Sequence, residues 1–156
     1  MLLRRSYAVA LAVTIIVGVA LYAVPRVVDS TRAAQARSDL AAARAAVRPL
    51  AVPADAVALT AGCSAPLSYR CYRLPAPTAH GARVTLLRML ASVGVREPRE
   101  LGCASRATAH GQVVDCGYSA VIDHETLLVS LGPHFDCHGE RCRLTKDSEI
   151  TVALGP

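Results

Sequence analysis

Cysteine and histidine are the side chains whose spacing here could carry chemistry. Six cysteines (Cys63, Cys71, Cys103, Cys116, Cys137, Cys142) follow an uncharged apolar run, and five histidines share their region. His134, Cys137, His138 and Cys142 fall within nine residues and supply the ligand types of a zinc site. Their H-x2-C-H-x3-C order differs from common zinc fingers. Adjacent Cys137 and His138 would also point to opposite faces of a strand. A disulfide across the loop is the simpler reading.

Thiol–disulfide exchange or metal handling centred on Cys137 and Cys142 is the second chemistry the pattern offers. Catalytic dithiols favour C-x-x-C at a helix N-terminus, where the dipole lowers the thiol pKa. Here four residues separate the pair. Asp123-His124-Glu125 joins acid and base types, but catalysis would need a third group and oxyanion donors brought in by folding. A polar turn accounts for it. His80 and His110, each followed by Gly, fit a helix first turn and a loop. The chain has no Gly-rich phosphate loop, no G-x-S-x-G and no H-E-x-x-H. The reading is therefore no catalytic, cofactor-binding or metal-ligating set, and a non-enzymatic protein.

An even number of cysteines in an exported segment points to a disulfide framework. Hairpin geometry favours neighbours. Cys137 and Cys142 flank the loop 138–141, and Cys103 and Cys116 face each other around the loop 108–111. Cys63 and Cys71 do likewise around Pro66-Leu67-Ser68. Directly opposed residues bring Cβ atoms to about 4.5–5.5 Å, close to what a disulfide requires.

Those pairs need an oxidising compartment, and the N-terminus supplies the route. Ser6–Pro25 carries no ionisable side chain except Tyr7 and Tyr22, and it follows Arg4-Arg5. Tyr7–Val24 would span about 27 Å as a helix, near the ~30 Å hydrocarbon thickness. Its nine Leu, Ile and Val residues favour insertion by roughly 3–5 kcal/mol. A cleaved signal peptide is the rival, with Gly18 and Ala20 in the small-residue places. The apolar run continues past them to Val24, which favours an anchor. No cysteine stands just beyond the run, against a lipoprotein. Arginines flank both ends, so charge leaves orientation nearly balanced; the cysteines place the C-terminal region outside the cytoplasm.

The 156 residues carry 17 Lys+Arg and 12 Asp+Glu, a net charge of +5. Sixteen of the basic residues are Arg, and with abundant Ala this matches codon bias in a GC-rich bacterial genome. Basic residues are neither clustered nor interleaved with aromatics, so no nucleic-acid surface is expected.

From Asp29 to Arg48 the chain reads as a polar helix stopped by Pro49 and Pro53, a solvated stalk with Leu40 and Val47 as its large apolar residues. Val57–Ala61 and Tyr69–Leu74 read as a strand pair. Thr78 caps a helix running to Val93 with an apolar stripe of Ala79, Ala82, Leu86, Leu87, Leu90 and Val93, and Gly94 ends it. Asp123-His124-Glu125-Thr126 is expected as a hairpin loop facing Ile122 with Leu127, Ala120 with Val129, Tyr118 with Leu131, Cys116 with Pro133 and Val114 with Phe135. Pro133 marks a bulge or an edge. Lys146-Asp147-Ser148 reads as a turn before a last strand, Ile150–Leu154.

The expected fold is α+β: a transmembrane anchor (1–28), a helical stalk and Pro hinge (29–54), and a disulfide-stapled domain (55–156). In that domain an antiparallel sheet is covered by one helix, in the order β-β-α-β-β-β-β. The expected partners are the bilayer, through residues 7–24, and a protein of the cell envelope. The outline resembles bitopic scaffold subunits of bacterial envelope machines, a likeness of architecture without a shared motif.

Overall fold

A computed structural model of the chain describes residues 26, 28–60, 63, 68–108, 111–138 and 141–155. Helix α1 covers 28–47. Six strands follow: β1 (Val57–Ala58), β2 (Ser68–Pro75), β3 (Arg99–Thr108), β4 (Gly111–Ile122), β5 (Glu125–His138) and β6 (Arg141–Gly155), with helix α2 (Ala79–Ser92) between β2 and β3. The element order is the expected one. No helix among the described residues is long and apolar enough to cross a membrane; the expected span, Tyr7–Val24, lies outside them.

By its contacts the chain forms two compact units, Met1–Ser38 and Asp39–Pro156. In the first, the helical residues 28–38 are exposed throughout. The second holds the sheet and its core. Ala43, Val47 and Leu50 are buried there, so the last turns of α1 belong to the domain rather than to a stalk. The Pro-flanked segment after them is also fastened. Ser92 Oγ accepts from Ala51 N at 2.8 Å and donates to Met89 O at 2.6 Å.

All six strands join one antiparallel sheet in the order β1-β2-β6-β5-β4-β3. The β3–β6 meander thus returns its last strand beside β2, and α2 makes the crossover over one face. That face is apolar: Val114, Cys116 and Tyr118 of β4, Leu127, Val129 and Leu131 of β5, and Ile150 and Val152 of β6 are all buried. Against them α2 lays Ala82, Leu86, Met89 and Leu90. Each of the three larger side chains contributes roughly 1.5–3 kcal/mol by leaving water. Met89 takes the place expected of Leu87, which is 37 % exposed. Residues 82, 86, 89, 90 and 93 follow the helical repeat, and 87 lies on its flank.

The ends of α2 are fixed by its sequence. Thr78 Oγ1 accepts from Gly81 N at 3.1 Å as N-cap. At the other end Gly94 has φ +83°, and Val95 N donates to Leu90 O while Gly94 N donates to Ala91 O. This is a Schellman closure.

Three expectations are corrected. The β4–β5 hairpin turns on two residues, Asp123 and His124, both with positive φ, so Ile122 pairs with Glu125 and Tyr118 with Val129. The register therefore differs by two from the expected one and the paired side chains keep their expected faces, whereas Pro133 and Phe135 have no partner in β4 and Phe135 is exposed beyond the β5–β6 bulge. Lys146-Asp147-Ser148 is not a turn: β6 runs straight through it, and the extra residues form a bulge opposite His134. The irregularity expected at Pro133 is this same bulge. Finally, β1 ends at Ala58, so Cys63 does not face Cys71 across a regular hairpin.

Candidate functional site

All six cysteines are consumed in three neighbour disulfides, Cys63–Cys71, Cys103–Cys116 and Cys137–Cys142. Cys103 and Cys116 are direct partners in the β3–β4 register, and Cys137 and Cys142 in the β5–β6 register. The first ties an edge strand into the core, where Cys116 is fully buried. The second sits exposed on a ribbon. Cys63 reaches Cys71 from a loop, onto the sheet face that the helices leave uncovered.

That second face holds a buried polar pair. Glu149 is 2 % exposed although it carries a carboxyl, and His134 is nearly as buried. Their Nδ1 and Oε2 atoms are 3.0 Å apart. A carboxylate can only accept, so Nδ1 carries the proton. The β6 bulge makes this contact: it lifts β5 and β6 out of simple register between Pro133 and Phe135. Thr145 Oγ1 donates to His134 O and accepts from Asp147 N, which holds the bulge.

Glu149 also approaches the first disulfide. The sulfurs of Cys63 and Cys71 and a Glu149 carboxylate oxygen lie within 4.8 Å of one another. Gly132 is the register partner of Glu149 and offers no side chain over it. The result is a cleft of about 220 Å³ lined by Asp115, Ser130, Gly132, Glu149 and Thr151. Ser130 and Thr151 share a hydroxyl hydrogen bond of 2.6 Å at its floor.

A second cleft, about 290 Å³, opens where the β3–β4 and β5–β6 ribbons diverge, lined by Thr78, Gln112, Pro133, Lys146 and Asp147 among others. Its side chains present one Lys and one Asp, and Asp147 is already paired with Arg73 at 3.6 Å.

The sequence-level candidates separate in space. His134 turns to Glu149, not to Cys137 and Cys142, which are bonded to each other. Asp123 and His124 form an exposed turn. Glu125 instead points to the core side, 7 % exposed, with Oε2 lacking a hydrogen-bond partner. His80 is exposed in the first turn of α2 beside Arg83 and Cys103. His110 and the side chain of His138 lie outside the described residues. Sequence reading missed the Glu149–His134 pair, because fifteen residues separate the two and only the bulge aligns them.

On the core side of the β3 edge, Glu100 accepts from Arg83 at 2.8 Å and from the Tyr118 hydroxyl at 3.2 Å. Burial, then the bond to Glu100, push the Tyr118 phenol upward in pKa. Next to Glu100, the β3 bulge places Leu101 over Gly117, where a Cβ would meet Leu101 at 3.7 Å. Leu101 remains 54 % exposed and Val121, on the same uncovered face, 74 %.

Compared with known protein families, curated proteins and solved structures, the chain matches none.

Proposed function

We propose that this is a single-pass protein of the bacterial cytoplasmic membrane, with its α+β domain outside the cytoplasm. The domain binds a protein of the cell envelope or serves as an assembly subunit, and it does so without catalysis. The observation that carries this reading is the use of all six cysteines in three neighbour disulfides. Such density belongs to oxidising compartments and to small domains with few large core side chains. One Phe and no Trp put this chain in that class. The uncharged run Ser6–Pro25 provides the export signal and anchor.

Protein binding is favoured by the uncovered sheet face, where Leu101 and Val121 are exposed among small residues such as Gly117, Ser119 and Ser130. The reading is tested by alkaline extraction of membranes followed by protease treatment of spheroplasts. Retention in the membrane with digestion of the domain supports it. Release as a soluble chain, or protection from protease, refutes it.

The alternative is an exported thiol-redox or metal-handling protein centred on Cys137–Cys142. What favours it is exposure: both residues are exposed on the ribbon, within reach of an attacking thiolate.

A further inference from the structure

We propose that Arg44 and Arg70, gathered on the ring of Tyr69, form a binding site for a phosphate-type oxyanion. The Arg44 guanidinium carbon lies 5.4 Å from the ring centre and that of Arg70 5.0 Å. One aromatic ring thus holds two like charges that repel each other. Among the described residues, no carboxylate pairs with either arginine. The site is independent of the protein-binding reading: three strands separate β2, which carries Tyr69 and Arg70, from β3, which carries Leu101.

The fold brings these groups together from two elements. α1 delivers Arg44 from its last turns, which Ala43 and Val47 anchor in the core. β2 delivers Tyr69 and Arg70 where its pairing with β6 shifts register between Ser68 and Arg70. Arg70 is then fixed twice: Nη1 donates to Arg48 O at 3.3 Å and Nη2 to the Tyr69 hydroxyl at 3.4 Å. The first bond satisfies a carbonyl at the C-terminal end of α1, where the helix dipole favours a cation. Burial works against the charge on Arg70; the Tyr69 and Tyr72 hydroxyls, rather than a carboxylate, outweigh it and raise the pKa. A half-buried guanidinium, held in place by neutral groups, is preorganised for an anion.

The donors select the ligand. Each guanidinium offers five N–H groups. Arg70 directs donors to two protein oxygens, and Arg44 to none among the described residues. A carboxylate, with two oxygens and one charge, matches one planar fork. A phosphate group presents three oxygens and up to two charges, which suits two arginines. Arg44 is exposed, so the site opens to solvent.

The test titrates the full oxidised chain in detergent micelles with inorganic pyrophosphate at fixed ionic strength. Binding is read by calorimetry and by the ring-proton shifts of Tyr69. The expected result is one saturable site per chain, with the Tyr69 signals moving in step with the heat. Arg44→Gln and Arg70→Gln should each weaken binding about tenfold or more, the loss of a charge-assisted hydrogen bond. Arg106→Gln, on β3, should leave it unchanged. Arg44→Gln alters an exposed side chain and should keep the wild-type thermal midpoint, so it decides the matter even where Arg70→Gln loosens α1. Repeating the titration in phosphatidylglycerol and phosphatidylcholine nanodiscs identifies the source. Competition by the anionic lipid that is lost in Arg44→Gln indicates a lipid headgroup; equal affinity in both bilayers indicates a soluble phosphate. Absence of saturation, unchanged affinity in Arg44→Gln, or an oligoglutamate peptide binding as tightly as pyrophosphate would overturn the proposal.

Discussion

His134 Nδ1 stands 3.0 Å from Glu149 Oε2, two strands joined by a buried charge-capable contact at the point where the β5–β6 ladder breaks register. The bulge of Thr145, Lys146 and Asp147 inside β6 is what makes the contact. Without it Glu149 would face Gly132 alone.

Removing the acceptor charge while keeping the shape should therefore be costly. Glu149→Gln is expected to lower stability by about 1.5–3 kcal/mol, the worth of a hydrogen bond involving a charged group. Urea unfolding of the oxidised protein measures it. An unchanged midpoint would mean that the pair contributes nothing to the fold.

The disulfides should differ in worth by loop length and burial. In the chain-entropy account, removing Cys103–Cys116, with separation 13, costs about 3 kcal/mol, and Cys137–Cys142, with separation 5, about 2 kcal/mol. Cys116 also fills the core, which adds to the first loss. Paired Cys→Ala variants compared by denaturant midpoint should show that order. The reverse order would indicate that the exposed ribbon supports the core.

Gly94 and Gly132 form an internal control for backbone strain. Neither would meet an atom within 4 Å if given a Cβ, but only Gly94 has positive φ, +83°. Gly94→Ala should destabilise by about 1 kcal/mol and Gly132→Ala by much less, both read by thermal unfolding.

Alkaline pH should weaken the fold through Tyr118. Its phenol is pushed above the ordinary 10.0, first by burial and then by its bond to Glu100, with Arg83 opposing. A raised folded-state pKa means that the folded chain holds the proton more tightly. The contribution is full below about 10 and is lost as pH rises through the higher folded value. Tyr118→Phe should flatten that alkaline fall. Phenolate absorbance followed against pH in both forms gives the comparison.

Much of this architecture was legible because local signals agreed with one another. Thr78 and Gly94 bracket α2 by capping chemistry alone, and the Cys103–Cys116 and Cys137–Cys142 partners follow from counting outward from their loops. The β4–β5 register was misjudged by two residues because Asp123-His124 carries no Gly to announce a two-residue turn with both φ positive. A shift of two leaves the apolar face unchanged, so the hydrophobic pattern could not expose the error. Val47 looks isolated in a polar helix and Leu50 lies just past Pro49, and only the folded core shows where they are buried. Glu149 was hidden for a similar reason: its partners are distant in sequence and meet through a bulge.

The central claim is that these sulfurs are paired, neighbour to neighbour, beyond the cytoplasmic membrane. Intact cells treated with a thiol-alkylating reagent, followed by non-reducing peptide mapping of the full chain, test it most directly. The account predicts Cys63 linked to Cys71, Cys103 to Cys116 and Cys137 to Cys142, with no alkylated cysteine. Six free, reactive thiols found after lysis, or crossed linkages among the pairs, would contradict it.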